Sequence, residues 1–487
     1  MNFSIILYII GYVLKIEGFL LLIPAAVGLG YREPHYLSFL ICSAICLALG
    51  FLITAKKPKN QRFYAKEGFV SVALSWLFLS LFGCLPFIIN GDIPRFADAF
   101  FEMVSGFTTT GASILSDVEA LSHCSLLWRS FSHWIGGMGI LVFILSVLPI
   151  TGGATMHLMR AESPGPQVGK IVPKIRETAG ILYIIYTGMT ILQIVILICG
   201  KMPVFDAVAL SFGTAGTGGF AVKNSSIADY SAFSQYVIAI FMLLFGVNFN
   251  VYFLAIRKNL RQALGAEEMH WYLVIISLAV GFITLNIRGM FSTLEETFRQ
   301  SLFQVSSIIT TTGYATTDFD LFPEFSKFIL VMLMFCGACA GSTGGGIKVS
   351  RIAILFKSVK DELSRIIHPR AVHQVRFEKK TLEESTVRSV YIFIVAYAVI
   401  FFGSVLIISL DKFDFTTNFT SVAATINNIG PGLSGVGPTK NFGGFSDLSK
   451  YLLCFDMLAG RLEIFPVLVL LNPSTWKRAA SLHIKKK

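Results

Sequence analysis

Residues 96–113 read FADAFFEMVSGFTTTGAS, and the same phrase returns three more times along the chain. FDAVALSFGTAGTGGFAV begins at Phe205, FRQSLFQVSSIITTTGYA at Phe298 and FTTNFTSVAATINNIGPG at Phe415. Each copy aligns on one glycine: Gly111, Gly219, Gly313 and Gly430. The opening phenylalanine then lies 15 residues upstream in three copies and 14 in the second. Every copy is a short apolar helix that closes on a glycine turn. A stretch of roughly 10–14 apolar residues suits a re-entrant segment better than a membrane span. An internal repeat on this scale governs the architecture before any other signal does.

Between the copies lie much longer apolar runs. Stretches such as 232–256 and 387–410 supply the 20 or so residues that a bilayer requires. Of the 487 residues 54% are hydrophobic and 14% charged, with a mean hydropathy of +0.69. Soluble chains carry nearer about 25% charge. A soluble enzyme, a disordered chain and a secreted disulfide scaffold are excluded. A membrane β-barrel is excluded too, because its strands alternate in hydrophobicity over about 10 residues. Spans are predicted near 3–29, 36–55, 69–90, 125–150, 178–200, 233–257, 271–288, 326–357, 387–411 and 449–472. The expected fold is an all-α polytopic membrane protein of about ten transmembrane helices. Residues 1–68 form a two-helix N-terminal segment. Residues 69–176, 177–266, 267–386 and 387–487 form four helix–pore loop–helix units around a central pore, the last with a cytoplasmic tail.

The net charge of +11 follows the positive-inside rule rather than nucleic-acid binding. Lys56, Lys57, Lys59, Arg62 and Lys66 share one connection, and Arg160, Lys170, Lys174 and Arg176 another. Residues 357–388 hold eight Lys and Arg, and the tail ends in three lysines. The alternate connections are poor in both. Both termini are therefore expected in the cytoplasm. The N-terminal run reads as a retained span, since it lacks a small-residue cleavage site. Cys336 and Cys339 form a CxxC in an apolar stretch with no second pair, which suits packing better than zinc or redox chemistry. The eight histidines show no metal-like spacing.

The repeat carries cation chemistry. A half-helix entering from outside presents the partial negative charge of its C-terminus inside the membrane. The turn after it is tolerable only where protein or a water-filled cavity surrounds it. Four such turns around one axis make a ring of carbonyl oxygens able to replace the hydration shell of a monovalent cation. Glycine permits the backbone conformations that aim the carbonyls inward. No ring of Asp or Glu accompanies the turns. Asp98, Glu102 and Asp206 either concentrate cations at the mouth or cap their half-helices.

Other features point to a gate. GSTGGG at 341–346 interrupts the eighth span, and each glycine there disfavours helix by about 1 kcal/mol relative to alanine. The segment is not a phosphate loop, because Ile347 separates Gly346 from Lys348 and the motif requires Lys directly after its second Gly. Arg461 lies inside the tenth span, where a charge costs roughly 2.5–3.5 kcal/mol. It faces a cavity, or it pairs with Glu463 or a helix end. Asn248 in the sixth span reads as an interhelical hydrogen bond.

The chain resembles the Trk/Ktr/HKT superfamily of potassium transporters, closest to the TrkH-type membrane subunit. The four loops carry the resemblance. LWRSFSHWIGGMGI (127–140), AESPGPQVGKIVPKIRETA (161–179), CGACAGSTGGGIKVSR (336–351), HPRAV (368–372) and AGRLEIFPVLVLLNP (459–473) reinforce it over essentially the whole chain. The resemblance implies a potassium-binding filter at Thr109, Thr110, Gly111, Gly218, Gly219, Thr311, Thr312, Gly313, Asn428, Ile429 and Gly430. GTAGTGGF departs from the threonine–glycine pattern, and the fourth copy has no threonine ladder. It implies a gate at Gly341, Ser342, Thr343, Gly344, Gly345, Gly346, Lys348 and Arg461, the arginine repelling cations or holding the loop. Potassium is the implied transported ion, with no organic cofactor in this chain. The implied setting is the cytoplasmic membrane, in contact with lipid. The implied partners are a second copy, each protomer with its own pore, and a cytosolic ring of nucleotide-binding regulatory subunits of the TrkA type. The basic segment 357–388 is where that ring is expected to land. A sodium- or proton-coupled symporter, or a weakly selective potassium/sodium channel of the same fold, is the alternative. Coupling is not required energetically: 100 mV supplies about 2.3 kcal/mol per charge, an accumulation of about 50-fold. A membrane enzyme would need clustered intramembrane His, Asp or Glu, which the sequence lacks.

Overall fold

The computed structural model describes residues 1–58, 64–139, 175–370 and 374–476. The second half of the 125–150 span, most of the 161–179 motif, its neighbouring basic residues and the C-terminal tail lie outside the described residues. In chain order the helices are α1 (Phe3–Leu20), α2 (Leu22–Gly30), α3 (Tyr36–Thr54), α4 (Ala65–Gly83), α5 (Leu85–Asn90), α6 (Phe96–Phe107) and α7 (His123–Gly137). There follow α8 (Ile175–Cys199), α9 (Val204–Gly216), α10 (Ala232–Phe245), α11 (Phe249–Ile256), α12 (Leu260–Leu264), α13 (Glu267–Asn286), α14 (Leu294–Ile309) and α15 (Glu324–Phe335). The last are α16 (Val349–Ile367), α17 (Glu384–Ile408), α18 (Phe415–Ile426), α19 (Asp447–Arg461), α20 (Phe465–Leu471) and α21 (Pro473–Trp476). A two-stranded antiparallel hairpin, β1 (Arg376–Phe377) and β2 (Lys380–Thr381), lies between α16 and α17.

The fold is all-α, as expected, but its spans divide into two kinds. Among the described residues, six helical stretches are long and apolar enough to cross a bilayer. Two are the N-terminal stretches Phe3–Gly30 and Tyr36–Thr54. The other four open the four repeats: Ala65–Asn90, Ala179–Cys199, Glu267–Asn286 and Glu384–Asp411. Among the described residues, three of the closing helices are not continuous. The sixth predicted span bends by 88° between α10 and α11. The eighth stops at Phe335 and restarts at Val349. The tenth breaks between α19 and α20, where Glu463 and Ile464 take positive φ of 55° and 69°. Three of the ten expected spans are therefore broken helices. Three of the opening helices present many apolar side chains outward, while the first, Ala65–Asn90, is covered by the N-terminal helices; the closing helices lie against the half-helices. Non-helical backbone at membrane depth is tolerable in that interior position. The breaks also relocate three residues. Asn248 caps α11, accepting from the Asn250 amide at 2.9 Å, and Cys336 and Cys339 lie beyond the end of α15 rather than in a helix.

Of the half-helices α6, α9, α14 and α18, the last two carry side-chain caps. Thr293 caps α14 by accepting from the Glu296 amide. Asp414 caps α18, and the Thr417 hydroxyl and amide that donate to it hold its carboxyl below the ordinary carboxylate range. Closing helices then approach the half-helix ends through glycine. A Cβ on Gly136 would run into the Phe107 carbonyl, and one on Gly460 into the Ile426 carbonyl. Phe107 and Ile426 are equivalent, each four residues before its anchor glycine. Gly460→Ala is expected to cost about 1–3 kcal/mol through overpacking. A thermal unfolding midpoint in detergent equal to the parent's would show instead that α19 can back away from α18.

Candidate functional site

All four half-helices end in the same backbone turn. The residue two before each anchor glycine is left-handed: Thr109 at φ 55°, Thr217 at 54°, Thr311 at 58° and Asn428 at 56°. The anchors are left-handed as well: Gly111 at 76°, Gly219 at 82°, Gly313 at 86° and Gly430 at 101°. In each turn the intervening residue donates its amide to the carbonyl five residues back. These bonds are Thr110 to Ser105 (2.9 Å), Gly218 to Gly213 (2.8 Å), Thr312 to Ser307 (2.8 Å) and Ile429 to Ala424 (2.8 Å). This is the Schellman helix ending, which satisfies carbonyls that the helix itself leaves open. Its left-handed position is usually glycine. Three threonines there cost on the order of 1–3 kcal/mol each, a strain that persists only when the surroundings impose it.

The surroundings are the neighbouring turns. A Cβ on Gly111 would collide with the Gly218 carbonyl, one on Gly219 with the Thr312 carbonyl, and one on Gly313 with the Ile429 carbonyl. On Gly430 it would lie 2.7 Å from the Thr110 carbonyl. Each glycine thus abuts the carbonyl preceding the next glycine, and the fourth abuts the first. The four copies close into a ring of backbone with no room for side chains at the anchors. All four glycines line one cavity of about 190 Å³. Its charged lining residues are Arg129, Lys223 and Lys440, with no carboxylate among them.

The departures from fourfold symmetry have local causes. Gly218 stands where the first and third copies have threonine, because the His133 imidazole of α7 fills the space that a Cβ would need. His133 ties the first two copies together: its Nδ1 lies 2.7 Å from the Gly106 carbonyl, and its Nε2 accepts from the Phe220 amide at 3.2 Å. In the fourth copy Asn428 donates to the Thr110 hydroxyl and the Met457 carbonyl, both at 2.9 Å. The hydroxyls of Thr108 and Thr110, and of Thr310 and Thr312, pair at 2.8 Å. Sequence reasoning missed Thr217 and His133. Counting two residues back from Gly219, as in the other copies, would have found the first. The second leaves no signal beyond a lone histidine in an apolar segment.

None of Asp98, Glu102 and Asp206 caps its half-helix, and two of the three are neutralised by ion pairs. Asp98 is ion-paired with Lys450 at 2.6 Å. Glu102 is fully buried against Arg129 at 2.8 Å and also accepts from the Ser113 hydroxyl and the Ile114 amide. Asp206 accepts from the Tyr230 hydroxyl. Glu102 is thus neither a cap nor a mouth charge: with Arg129 it forms a buried brace that holds the chain leaving the first turn.

Residues 336–348 fold as a loop directly against the ring. The Gly345 amide donates to the Thr311 hydroxyl at 2.7 Å, and a Cβ on Gly345 would meet the Asn427 carbonyl at 2.6 Å. Lys348 is buried and donates to the carbonyls of Gly344 and Gly345. Arg461 is the last residue of α19 rather than a mid-helix charge. Its Nη1 donates to the Thr343 carbonyl at 2.7 Å, and its Nη2 to the Gly136 and Gly137 carbonyls at 2.6 and 2.7 Å. Glu463 is ion-paired with Arg351. Gly341 faces Asn248 and accepts from the Phe249 amide at 3.0 Å. The predicted gate residues therefore gather at one place, with their positive charges spent on backbone carbonyls. Among the described residues no group of three His, Cys, Asp or Glu could hold a metal ion.

Residues 35–478 match the family described as TrkH, cation transport protein. The potassium uptake protein TrkH of Salmonella typhimurium is 37% identical over 485 residues, covering 98% of this chain and 100% of that one. TrkG of Escherichia coli is 33% identical over 482 residues, covering 97% and 98%. The crystal structure of the potassium transporter TrkH from Vibrio parahaemolyticus superposes with a TM-score of 0.88 at 34% identity, covering 98% of this chain and 100% of that one.

Removing one partner of a buried ion pair costs about 3–5 kcal/mol, while replacing both by apolar or neutral groups is often close to neutral. Arg129→Met is therefore expected to destabilise the protein severely in a detergent thermal scan. Adding Glu102→Gln should restore much of the loss. A double variant no better than the single one would mean that Arg129 acts through packing over the Phe220 ring.

Proposed function

Because the chain belongs to the TrkH family of cation transport proteins, we propose that it takes up potassium across the cytoplasmic membrane through a pore formed by the four turns. The observation that carries this reading is the closed circuit of glycines and carbonyls. The filter comprises Thr109, Thr110, Gly111, Gly218, Gly219, Thr311, Thr312, Gly313, Asn428, Ile429 and Gly430, with Thr217 added to the second strand. Backbone oxygens supply the coordination, so hydration is exchanged for carbonyl dipoles without fixed carboxylates. The half-helix C-termini aim their partial negative charge at the same place. Transport through such a path makes and breaks no covalent bond.

The loop Gly341–Gly346, with Lys348 and Arg461, is the gate. Its support is contact: the loop touches the third and fourth turns, and two cationic side chains hold its carbonyls. A loop of glycines leaves such a place at small cost, having few side-chain contacts to break. The chain works with a cytosolic regulatory subunit of the TrkA type, which docks on the basic segment 357–388. It assembles as a homodimer with one pore per protomer. The exposed apolar face Phe356, Val359, Leu363 and Ile366 of α16 recurs at helical spacing and supports burial of that face against a second chain.

Gly111→Ser tests the filter. Its Cβ must displace the Gly218 carbonyl, which alters the ring at one point. The sodium-to-potassium permeability ratio in proteoliposomes is expected to rise by about tenfold, ~1.4 kcal/mol of lost discrimination. Unchanged selectivity in a folded variant would remove Gly111 from the filter. The gate has a separate test. Arg461→Ala, or deletion of part of GSTGGG, is expected to raise basal rubidium flux several-fold with selectivity kept. The combination should be less than additive, since both remove one closed-state contact. Parental flux in both would place the gate elsewhere.

A further inference from the structure

Two helices that meet at the proposed gate lack caps of their own. Ala266 precedes α13 and has no side-chain acceptor. Lys348 precedes α16 and offers only a donor, which it spends on Gly344 and Gly345. Glutamates from elsewhere fill both positions. The Glu378 carboxylate accepts from the Glu268 amide, in the first turn of α13, at 3.1 Å. The Glu268 carboxylate accepts from the Ser350 amide, in the first turn of α16, at 3.1 Å. Each places an anion where the helix dipole favours one. Glu268 does one thing more. The same oxygen accepts from the Ala340 amide at 2.7 Å, so one buried carboxylate ties the backbone on both sides of 341–346 together.

Glu378 belongs to the cytoplasmic hairpin. It and Lys379 form the two-residue turn between β1 and β2, with φ of 51° and 60°. Two positive φ values are the geometry that Asn-Gly usually supplies, so a Glu-Lys pair there must be held by its contacts. The holding is visible. The Glu378 amide donates to Glu267 at 3.0 Å. Lys357 of α16 bonds both Glu267 and the Arg376 carbonyl. Phe377 is buried against Ala353, Ile354 and Val390. The hairpin, the start of α13, the start of α16 and the loop therefore form one continuous set of hydrogen bonds.

We propose that Glu378 and Glu268 are positioning residues of the gate: the hairpin fixes the start of α13 through Glu378, and Glu268 holds the loop closed from both flanks. A load on the hairpin from the cytoplasm is then delivered to the loop. This inference rests on the loop being the gate, and its test separates the two claims.

The full chain is reconstituted in lipid nanodiscs for hydrogen exchange and in proteoliposomes for rubidium flux. The variants are Glu378→Ala, Glu268→Gln, their combination, and Glu362→Gln on the exposed side of α16 as control. Exchange of the amides in 336–350 is expected to quicken roughly tenfold in Glu268→Gln, the scale of one weakened charge-assisted bond. Glu378→Ala should give a smaller rise in the same peptides, with basal flux rising in parallel and selectivity kept. The double variant should match Glu268→Gln alone, because both act through one carboxylate. Quickened exchange in Glu268→Gln but parental exchange in Glu378→Ala overturns the relay, as does parental exchange in both. Quickened exchange in both with parental flux, matched by parental flux in the loop deletion, supports the relay and defeats the gate reading instead. Partial misfolding would appear as quickened exchange in α1 and α3 as well, and Glu378→Gln, which keeps the side-chain length, then replaces the alanine variant.

Discussion

The close approach of four backbone turns is the constraint on which the rest of the molecule depends. Each anchor glycine lies against the carbonyl before the next one, so no turn can shift without moving its neighbour. That closure imposes left-handed backbone on Thr109, Thr217 and Thr311, residues that would not adopt it by preference. It also sets where the half-helices end, since the same left-handed residue completes each Schellman ending. Closing helices must then reach the ring without filling it. They do so with glycine at Gly136 and Gly460 and by breaking at that depth.

Three of the charges nearest the ring and the loop follow one rule: each is held by a carbonyl, an amide or a partner of opposite sign. Among the described residues, by contrast, the buried Glu17 carboxyl of α1 has no hydrogen-bond partner, and buried Asp456 of α19 accepts only from the Ser404 hydroxyl. Arg461 spends its guanidinium on three carbonyls and Lys348 its ammonium on two. Glu102 takes Arg129, an amide and a hydroxyl. Isolated charges at such depth would cost several kcal/mol each. Distributing them over the backbone that forms the ring and the loop turns that cost into positional order. The cavity above the ring is lined by Arg129, Lys223 and Lys440 and by no carboxylate, so any negative polarity there comes from oxygen dipoles.

Much of this was legible in the chain because glycine spacing survives where side chains vary. Gly111, Gly219, Gly313 and Gly430 align by counting, and the ring follows from that alignment. The long opening helices were legible from hydropathy. The breaks at 246–248 and 462–464 were not, because an apolar run reads the same whether or not it bends, and Ile464 is a residue from which no one expects positive φ. The acidic residues misled for a related reason. Asp98 lies in the first turn of α6 and Glu102 one turn later, but Lys450 and Arg129, which neutralise them, come from other helices, Lys450 from one 352 residues on. Likewise Ala266 and Lys348 look like uncapped helix starts, and only the fold brings Glu378 and Glu268 to them.

The four copies differ where they touch other elements, and this bears on how a fourfold ring holds the 336–348 loop against one side. The second copy gives up its threonine to make room for His133, and the fourth replaces threonine with Asn428, whose amide bridges to Thr110. Both changes fasten a turn to its neighbours. The third copy keeps its threonines and offers the Thr311 hydroxyl to the Gly345 amide. It is also the copy whose closing helix opens into the long glycine segment. Two turns are thus bound laterally into the ring, while the third is bound downward to a loop with few side chains of its own. A fourfold backbone can carry a loop poor in side chains against one side because the other sides hold its geometry, and the asymmetry of the side chains divides those tasks among the copies.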